Sequence, residues 1–141
     1  MATLCGVGNA IEMTVRPSRL TVEDQPNWVS TQLELKENGM VLVSASLALT
    51  TDDLAELRVR LLDLVAGRLP AFTLQATDGD IVFEGHKADR PGHILLGFWQ
   101  GLPYELQRGY KFAVNAEDIP PFVRSLASEE ITALPSGRVP Q

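Results

Sequence analysis

The sequence predicts an α+β fold: a largely antiparallel, curved sheet of six to seven strands with two helices, in the order strands, helix, four strands, helix. Three observations predict it. Apolar residues recur with a period of two over most of the chain, two stretches show helical spacing, and turn residues join successive strands into hairpins. The length of 141 residues and the 45% apolar content fit one domain over residues 1–128, with the first eight or so residues mobile and residues 129–141 a flexible tail.

The first strands are predicted as a hairpin with one apolar face. Pro17 and Ser18 are residue types that favour a turn, and this turn places Val15 opposite Leu20. The alternating apolar residues of the hairpin are Ile11, Met13, Val15, Leu20 and Val22. Because they share one face, we expect that face to point into the core.

A second hairpin follows, and burial argues for its register. Its two apolar rows are Val29, Thr31, Leu33 and Leu35 in one strand, and Val41, Val43, Ala45, Leu47 and Leu49 in the next. A two-residue Asn38–Gly39 loop would put these rows out of phase. A three-residue loop that begins at Glu37 and ends at Gly39 pairs Leu35 with Val41 and keeps both rows on one face. We therefore predict the three-residue loop.

The first helix has a clear beginning and a clear end. Thr50 and Asp53 are spaced like a capping box, and Gly67 is a typical residue for the position after a helix. The apolar residues between them recur at helical spacing: Leu54, Leu57, Leu61, Leu62 and Val65. This stripe is expected to face the sheet.

After this helix, apolar residues again recur with a period of two, which predicts four strands, and a second helix follows them. An Asp78–Gly79 turn pairs Leu74 with Phe83, and the next hairpin is predicted to place His86 opposite His93. The last strand carries Tyr110, Phe112 and Val114, and Gly101, Pro103 and Gly109 allow a bend or bulge before it. The second helix begins near Asn115 or Asp118 and runs to about Ser128, with Pro120 and Pro121 in its first turn.

Charge and cysteine content restrict the class of partner and the compartment. Eighteen acidic and twelve basic residues give a net charge of −6, which disfavours nucleic acid and anionic membrane surfaces as partners. The single Cys5 fits a reducing compartment, and the first residues have neither the basic nor the apolar part of a signal peptide. We therefore expect a cytoplasmic protein.

No catalytic motif stands out, and two candidate sites have simple structural explanations. His86 and His93, as cross-strand neighbours, could share a metal ion, with Glu84 or Asp89 as a third ligand. Two solvated histidines beside a flexible hairpin loop explain the pair better, because the pair has neither a cysteine partner nor an HxH or HExxH spacing, so we predict no metal and no cofactor. Cys5 has no base near it in the sequence, and no catalytic residue is assigned.

Two tryptophans are more informative, because they fall on the face of the strands opposite the core. Trp28 shares the polar row of its strand with Glu34, and Trp99 lies on the same side as Glu84 and His86. Large aromatic side chains on such a face are either covered by another element or bind a partner. We predict a protein-binding surface formed by these five residues.

Four segments together give the chain a resemblance to a known family. A tryptophan-led hairpin, the helix TTDDLAELRVRLLDL, the strands FTLQATDGDIVFEG and the ending YKFAVNAEDIPPFVRSL resemble WapI-type bacterial immunity proteins over about Trp28 to Leu126. The resemblance implies a non-enzymatic cytoplasmic protein that neutralises a bacterial toxin by binding it. An acidic chain suits a basic toxin through charge steering.

Two alternatives stay open. The first is a small-molecule-binding protein or enzyme with a pocket between sheet and helices, lined by Phe72, Phe98, Tyr110 and Phe112. The second is a homodimer in which the aromatic face is the interface between two copies. A sizeable pocket would favour the first alternative, and the solution mass tests the second.

Overall fold

A computed structural model describes residues 2–18, 28–77, 81–100 and 108–133. The α+β class, the antiparallel pairing and the two helices are confirmed, but the single sheet of six to seven strands is wrong. Within these residues, eight strands form two four-stranded sheets, called sheet A and sheet B, in the orders β1-β2-β3-β4 and β5-β6-β7-β8. The elements are β1 (Ala2–Cys5), β2 (Ile11–Ser18), β3 (Trp28–Glu37), β4 (Met40–Thr50), α1 (Thr51–Val65), β5 (Ala71–Gln75), β6 (Ile81–Lys87), β7 (His93–Gln100), β8 (Arg108–Asn115) and α2 (Ile119–Ala133).

The N-terminus contains a strand that the apolar pattern did not predict. Ala2 and Leu4 are buried, and β1 pairs with β2 through Ala2 and Val15. Pro17 is also not in a turn: it continues β2 and lies opposite Thr31 of β3. Proline has no backbone N–H to donate, and among the described residues Pro17 pairs with β3 alone, because β1 pairs only with Glu12–Val15 of β2. The predicted second half of this hairpin, Leu20 and Val22, lies outside the described residues.

The β3–β4 hairpin has a two-residue turn, so the predicted three-residue loop is wrong. Glu37 pairs with Met40, and Asn38 and Gly39 both have positive φ, as a type I′ turn requires. A β-bulge follows: Lys36 pairs with Val41 but Leu35 pairs with Val43, so β4 has one extra residue at this point. One inserted residue restores the apolar phase that the tight turn alone would lose.

Helix α1 begins as predicted. Thr50 accepts a hydrogen bond from the backbone N–H of Asp53 at 3.0 Å, and the Asp53 carboxylate accepts one from the N–H of Thr50 at 2.9 Å. Gly67 has a φ of 78° just after the helix. The buried stripe differs in one position from the prediction, since Leu64 is fully buried whereas Leu62 is 39% exposed.

Sheet B has the predicted faces but not all of the predicted registers. Leu74 pairs with Phe83 as expected. In the next hairpin His86 lies opposite Leu95, two residues away from the predicted partner His93. The pairing of the two strands extends further toward the loop than predicted, and its last hydrogen bond runs from the N–H of Ala88 to the carbonyl of His93. A slip of two residues keeps every side chain on its face, and therefore apolar alternation cannot detect it.

Both helices and the inner faces of both sheets share one apolar core. Helix α2 has Pro120 and Pro121 in its first turn, as predicted, and packs against β1, β2 and α1 through Ile119, Phe122 and Leu126. It continues to Ala133, five residues past the predicted end and into the expected tail. Among the described residues, no helix is long and apolar enough to cross a membrane.

Candidate functional site

The outward face of sheet B carries a cluster of aromatic and charged side chains. The register places Val82, Trp99 and Gly109 in one row across β6, β7 and β8, and Glu84, Gly97 and Lys111 in the neighbouring row. Side chains on one side of adjacent strands are close enough to contact each other. We call this surface the Trp99 face; it consists of Val82, Glu84, His86, Leu95, Trp99 and Lys111.

Trp99 lies flat across the sheet and is held on both sides. A methyl group built on Gly109 would overlap the six-membered ring of the indole, so that ring lies directly over the Gly109 backbone. On its other side, Nε1 donates a hydrogen bond of 3.0 Å to Oε1 of Glu84. Glycine at position 109 is therefore needed for a close approach by a side chain, which is one of the recognised reasons for glycine within a strand. Gly109 pairs regularly with Trp99, whereas Gly101 and Pro103, which with Gly109 were expected to allow a bend or bulge, lie outside the described residues.

Lys111 reaches Glu84 across the middle strand. Its Nζ lies 3.1 Å from Glu84 Oε1, although the two residues belong to β8 and β6 with β7 between them. Gly97 occupies the intervening position, and a Cβ there would come within 2.8 Å of Lys111 Cγ. The absence of a side chain at Gly97 leaves the space through which the lysine passes.

Glu84 is held in its anionic form. The hydrogen bond from Trp99 lowers the pKa of Glu84 most; partial burial opposes this, and Lys111 lowers the pKa further through its hydrogen bond and its charge. His86, two residues along the same face, adds a smaller effect in the same direction. The Trp99 face therefore presents a fixed indole beside a fixed carboxylate, and the carboxylate side chain keeps 24% of its surface exposed.

The five residues predicted to form one binding surface belong to two surfaces. Trp99, Glu84 and His86 lie together on the Trp99 face. Trp28 and Glu34 lie in β3, on the outward face of sheet A, where the Glu34 carboxylate is 3.3 Å from Lys36 Nζ. Two separate sheets, rather than one continuous sheet, account for the division.

Among the described residues, the two other candidates from the sequence are not brought together with the partner groups that they would need. His93 lies opposite Asn115 rather than His86, and the described part of the chain holds no group of three side chains suited to a metal ion. Cys5 lines an open cleft of about 520 Å³ between β1 and the start of α2, and the other polar residues that line it are Thr3, Asn9, Asp118 and Ser125. That cleft contains no histidine or lysine, within the described residues, to act as a base for the thiol.

The pocket expected by the small-molecule alternative is too small to hold a ligand. Phe72, Phe98 and Phe112 do line a space between the sheets and helices, but its volume is about 30 Å³ and its walls are almost wholly apolar. Ligand pockets typically measure roughly 300–1,000 Å³. Tyr110 instead borders a crevice near the surface. Among the described residues, the space that these phenylalanines line is nearly filled.

Lys111, Gly97 and Gly109 are the parts of the site that sequence reasoning missed. The available signal was two glycines inside apolar strands, at positions that would otherwise carry outward side chains. Only the register shows which side chain each glycine makes room for, since Gly97 lies opposite Lys111 and Gly109 opposite Trp99.

Comparisons with known proteins give one family and one fold. The profile of the immunity protein WapI-like family matches residues 6–134. Among solved structures, a chain of the MRP1/MRP2 crystal structures from Trypanosoma brucei aligns with a TM-score of 0.50 and 14% sequence identity, over 91% of this chain and 78% of that chain. This likeness shows a shared fold. No protein of curated function is similar enough in sequence to count as a relative.

Proposed function

The chain belongs to the WapI-like immunity protein family, and from this premise we propose that it neutralises a bacterial toxin by binding it through the Trp99 face. The observation that carries the choice of surface is the hydrogen bond between Trp99 and Glu84, with the indole lying over Gly109. It fixes a large aromatic side chain on an outward face rather than in the core. The inhibition proposed is occlusion of the toxin's own site and involves no catalysis.

The fixed indole favours binding because the Trp99 side chain already has one conformation before a partner binds, so binding loses less side-chain entropy. Immobilising a rotamer-rich side chain at an interface costs roughly 0.5–1.5 kcal/mol, and a side chain already held by Glu84 and the Gly109 backbone avoids that cost. Tryptophan is also among the residue types that contribute most at interface centres. The half-buried Val82 and Leu95 add apolar area around it.

Charge argues for a basic partner. The chain carries a net charge of −6, which attracts a basic partner over a distance, and on the proposed surface the ionised Glu84 is already paired with Lys111. A negative field steers a positively charged partner and raises the association rate. We place this encounter in the cytoplasm, where the lone cysteine stays reduced.

The test compares variants of two carboxylates that are similar in setting. Glu84 and Glu34 each lie on an outward sheet face beside a lysine, but only Glu84 belongs to the Trp99 face. Tagged wild-type protein isolates the toxin from the native lysate, and calorimetry with the purified toxin then measures the affinity of each variant. We expect Trp99→Ala to weaken binding by about 30-fold or more, as for an interface hot spot. Glu84→Gln should weaken it less, and Glu34→Gln should leave it unchanged.

Circular dichroism confirms that each variant is folded before its affinity is compared. The proposal fails if folded Trp99→Ala binds the toxin as tightly as wild type. It also fails if Glu34→Gln loses as much affinity as Glu84→Gln, because the contact surface would then lie on sheet A. Toxin activity measured with and without the protein separates inhibition from simple binding.

A further inference from the structure

The edge strand β4 is unusual among the edges of the two sheets. Its eleven residues, MVLVSASLALT, include no charged residue, no proline and no glycine, and no described residue pairs with its free edge. The other edge strands are short or charged: β1 has four residues, β5 has five, and β8 carries Arg108 and Lys111. Proteins normally protect edge strands by shortness or charge, because a long uncharged edge pairs readily with another strand.

The first half of β4 also exposes apolar side chains. Met40 is 73% exposed, Val41 is 52% exposed and Leu42 is 43% exposed. A crevice of about 190 Å³ lies between Leu42–Ser44 and Phe98, Gln100 and Tyr110 of sheet B, so the two sheets do not close over this part of the strand. Contiguous apolar exposure of this kind marks an interaction surface.

We propose that β4 pairs with β4 of a second copy of the chain, antiparallel and about a two-fold axis at Ala45. The sequence around Ala45 reads nearly the same in both directions. Ser44 would lie opposite Ser46 of the second copy, and Val43 opposite Leu47, so small polar residues meet on the outward face and apolar residues meet on the core face. An interface that uses one patch on both subunits has to be self-complementary in this way.

Charge favours a second copy over a basic partner. A basic protein would find no carboxylate on β4, whereas a second copy brings no like charge opposite it, although each chain carries a net charge of −6. The outward groups nearest the axis are Ser44 and Ser46, both hydrogen-bonded to Gln32 of β3. They are small enough for the two strands to approach. The dimer joins two copies of sheet A, and it does not depend on toxin binding.

The experiment uses two double variants that differ in the sign of one charge. In the proposed register, Ser44→Lys with Ser46→Lys places like charges opposite each other, and Ser44→Lys with Ser46→Glu places opposite charges there. Both variants lose the same bonds to Gln32. Light scattering after size exclusion should give 30.8 kDa for wild type, twice the 15.4 kDa of one chain. We expect a monomer for the lysine pair and a dimer for the lysine–glutamate pair.

A third variant tests the axis even if the charged variants do not fold. Ala45→Cys, made with Cys5→Ala, places one thiol from each copy at the two-fold axis, where directly opposite Cα atoms are about 4.5–5.5 Å apart and suit a disulfide. Oxidation should join the chains in high yield, and the matched Thr14→Cys, on a strand within the sheet, should not. Monomeric wild type, a dimeric lysine pair, a monomeric lysine–glutamate pair or no crosslink at Ala45→Cys would each overturn the proposal.

Discussion

Replacing Gly109 with alanine tests how the Trp99 face is built. The added methyl group overlaps the indole, and Gly109 is in regular pairing with Trp99, so the ring has to swing away and lose its bond to Glu84. Loss of a hydrogen bond to a charged acceptor costs about 1.5–3 kcal/mol. Re-exposing about 100 Å² of indole adds about 2–3 kcal/mol, and the lower chain entropy of alanine returns about 0.5–1 kcal/mol. Because the site is partly solvated, we expect a net loss of about 2–4 kcal/mol in the free energy of unfolding.

A double-mutant cycle isolates the contact between the methyl group and the ring. In a Trp99→Ala background, Gly109→Ala meets no indole and should be neutral or slightly stabilising. Urea denaturation of the wild type, both single variants and the double variant should therefore give a coupling free energy of about 2 kcal/mol or more. Equal costs of Gly109→Ala in both backgrounds would refute the placement of Trp99 over Gly109, and with it the idea of an indole fixed before binding.

Three further predictions concern stability. Asp53→Ala removes one half of the capping box of α1, the carboxylate that accepts from the N–H of Thr50, whereas the Thr50 hydroxyl still caps the helix. It also removes the acceptor for the backbone N–H and hydroxyl of Thr77, at 2.8–3.2 Å, so thermal unfolding should show a loss of about 2–3 kcal/mol in the free energy of unfolding; a loss below about 0.5 kcal/mol would count against these bonds. Glu84 has a lowered pKa in the folded protein, so its ionised form contributes stability above its ordinary pKa of 4.5, and this contribution is lost as the pH falls through the lowered value. The stability gap between wild type and Glu84→Gln should accordingly shrink on acidification below about pH 4.5, and a gap that widened would contradict the assignment. Leu64→Ala should cost about 2–5 kcal/mol in urea denaturation and Leu62→Ala less than about 1 kcal/mol, whereas the stripe predicted from the sequence includes Leu62 and omits Leu64.

Alternation in the sequence predicted which way side chains point, since burial acts on each residue separately. Val29, Leu33 and Leu49 are buried as expected, and Trp99 and Glu84 share the outward face as expected. Sheet membership could not be obtained in the same way. The apolar residues of a strand recur with a period of two whether the strand pairs with the preceding strand or with one beyond a helix. The apolar pattern of the sequence therefore could not show that the strands separate into sheets A and B.

Two predicted registers were wrong, for different physical reasons. At Asn38–Gly39, two residues able to take positive φ form the tight turn. A β-bulge in β4 then returns the apolar side chains of the two strands to the same face. At His86 a slip of two residues left every face unchanged, so burial could not choose between the alternatives. Lys111 was missed for the same reason, because its partner Glu84 becomes a neighbour only once Gly97 is known to lie between them.

The two proposed surfaces are separable because they lie on different sheets. Trp99 and its partners lie on the outward face of sheet B, and the free edge around Ala45 belongs to sheet A. Face and edge also use different chemistry. The Trp99 face presents a charged and aromatic side-chain cluster suited to a different, basic protein, whereas the β4 edge presents backbone groups with uncharged side chains, suited to its own copy. A variant that removes one surface therefore leaves the other intact, and a dimer would carry two Trp99 faces with the same fixed geometry.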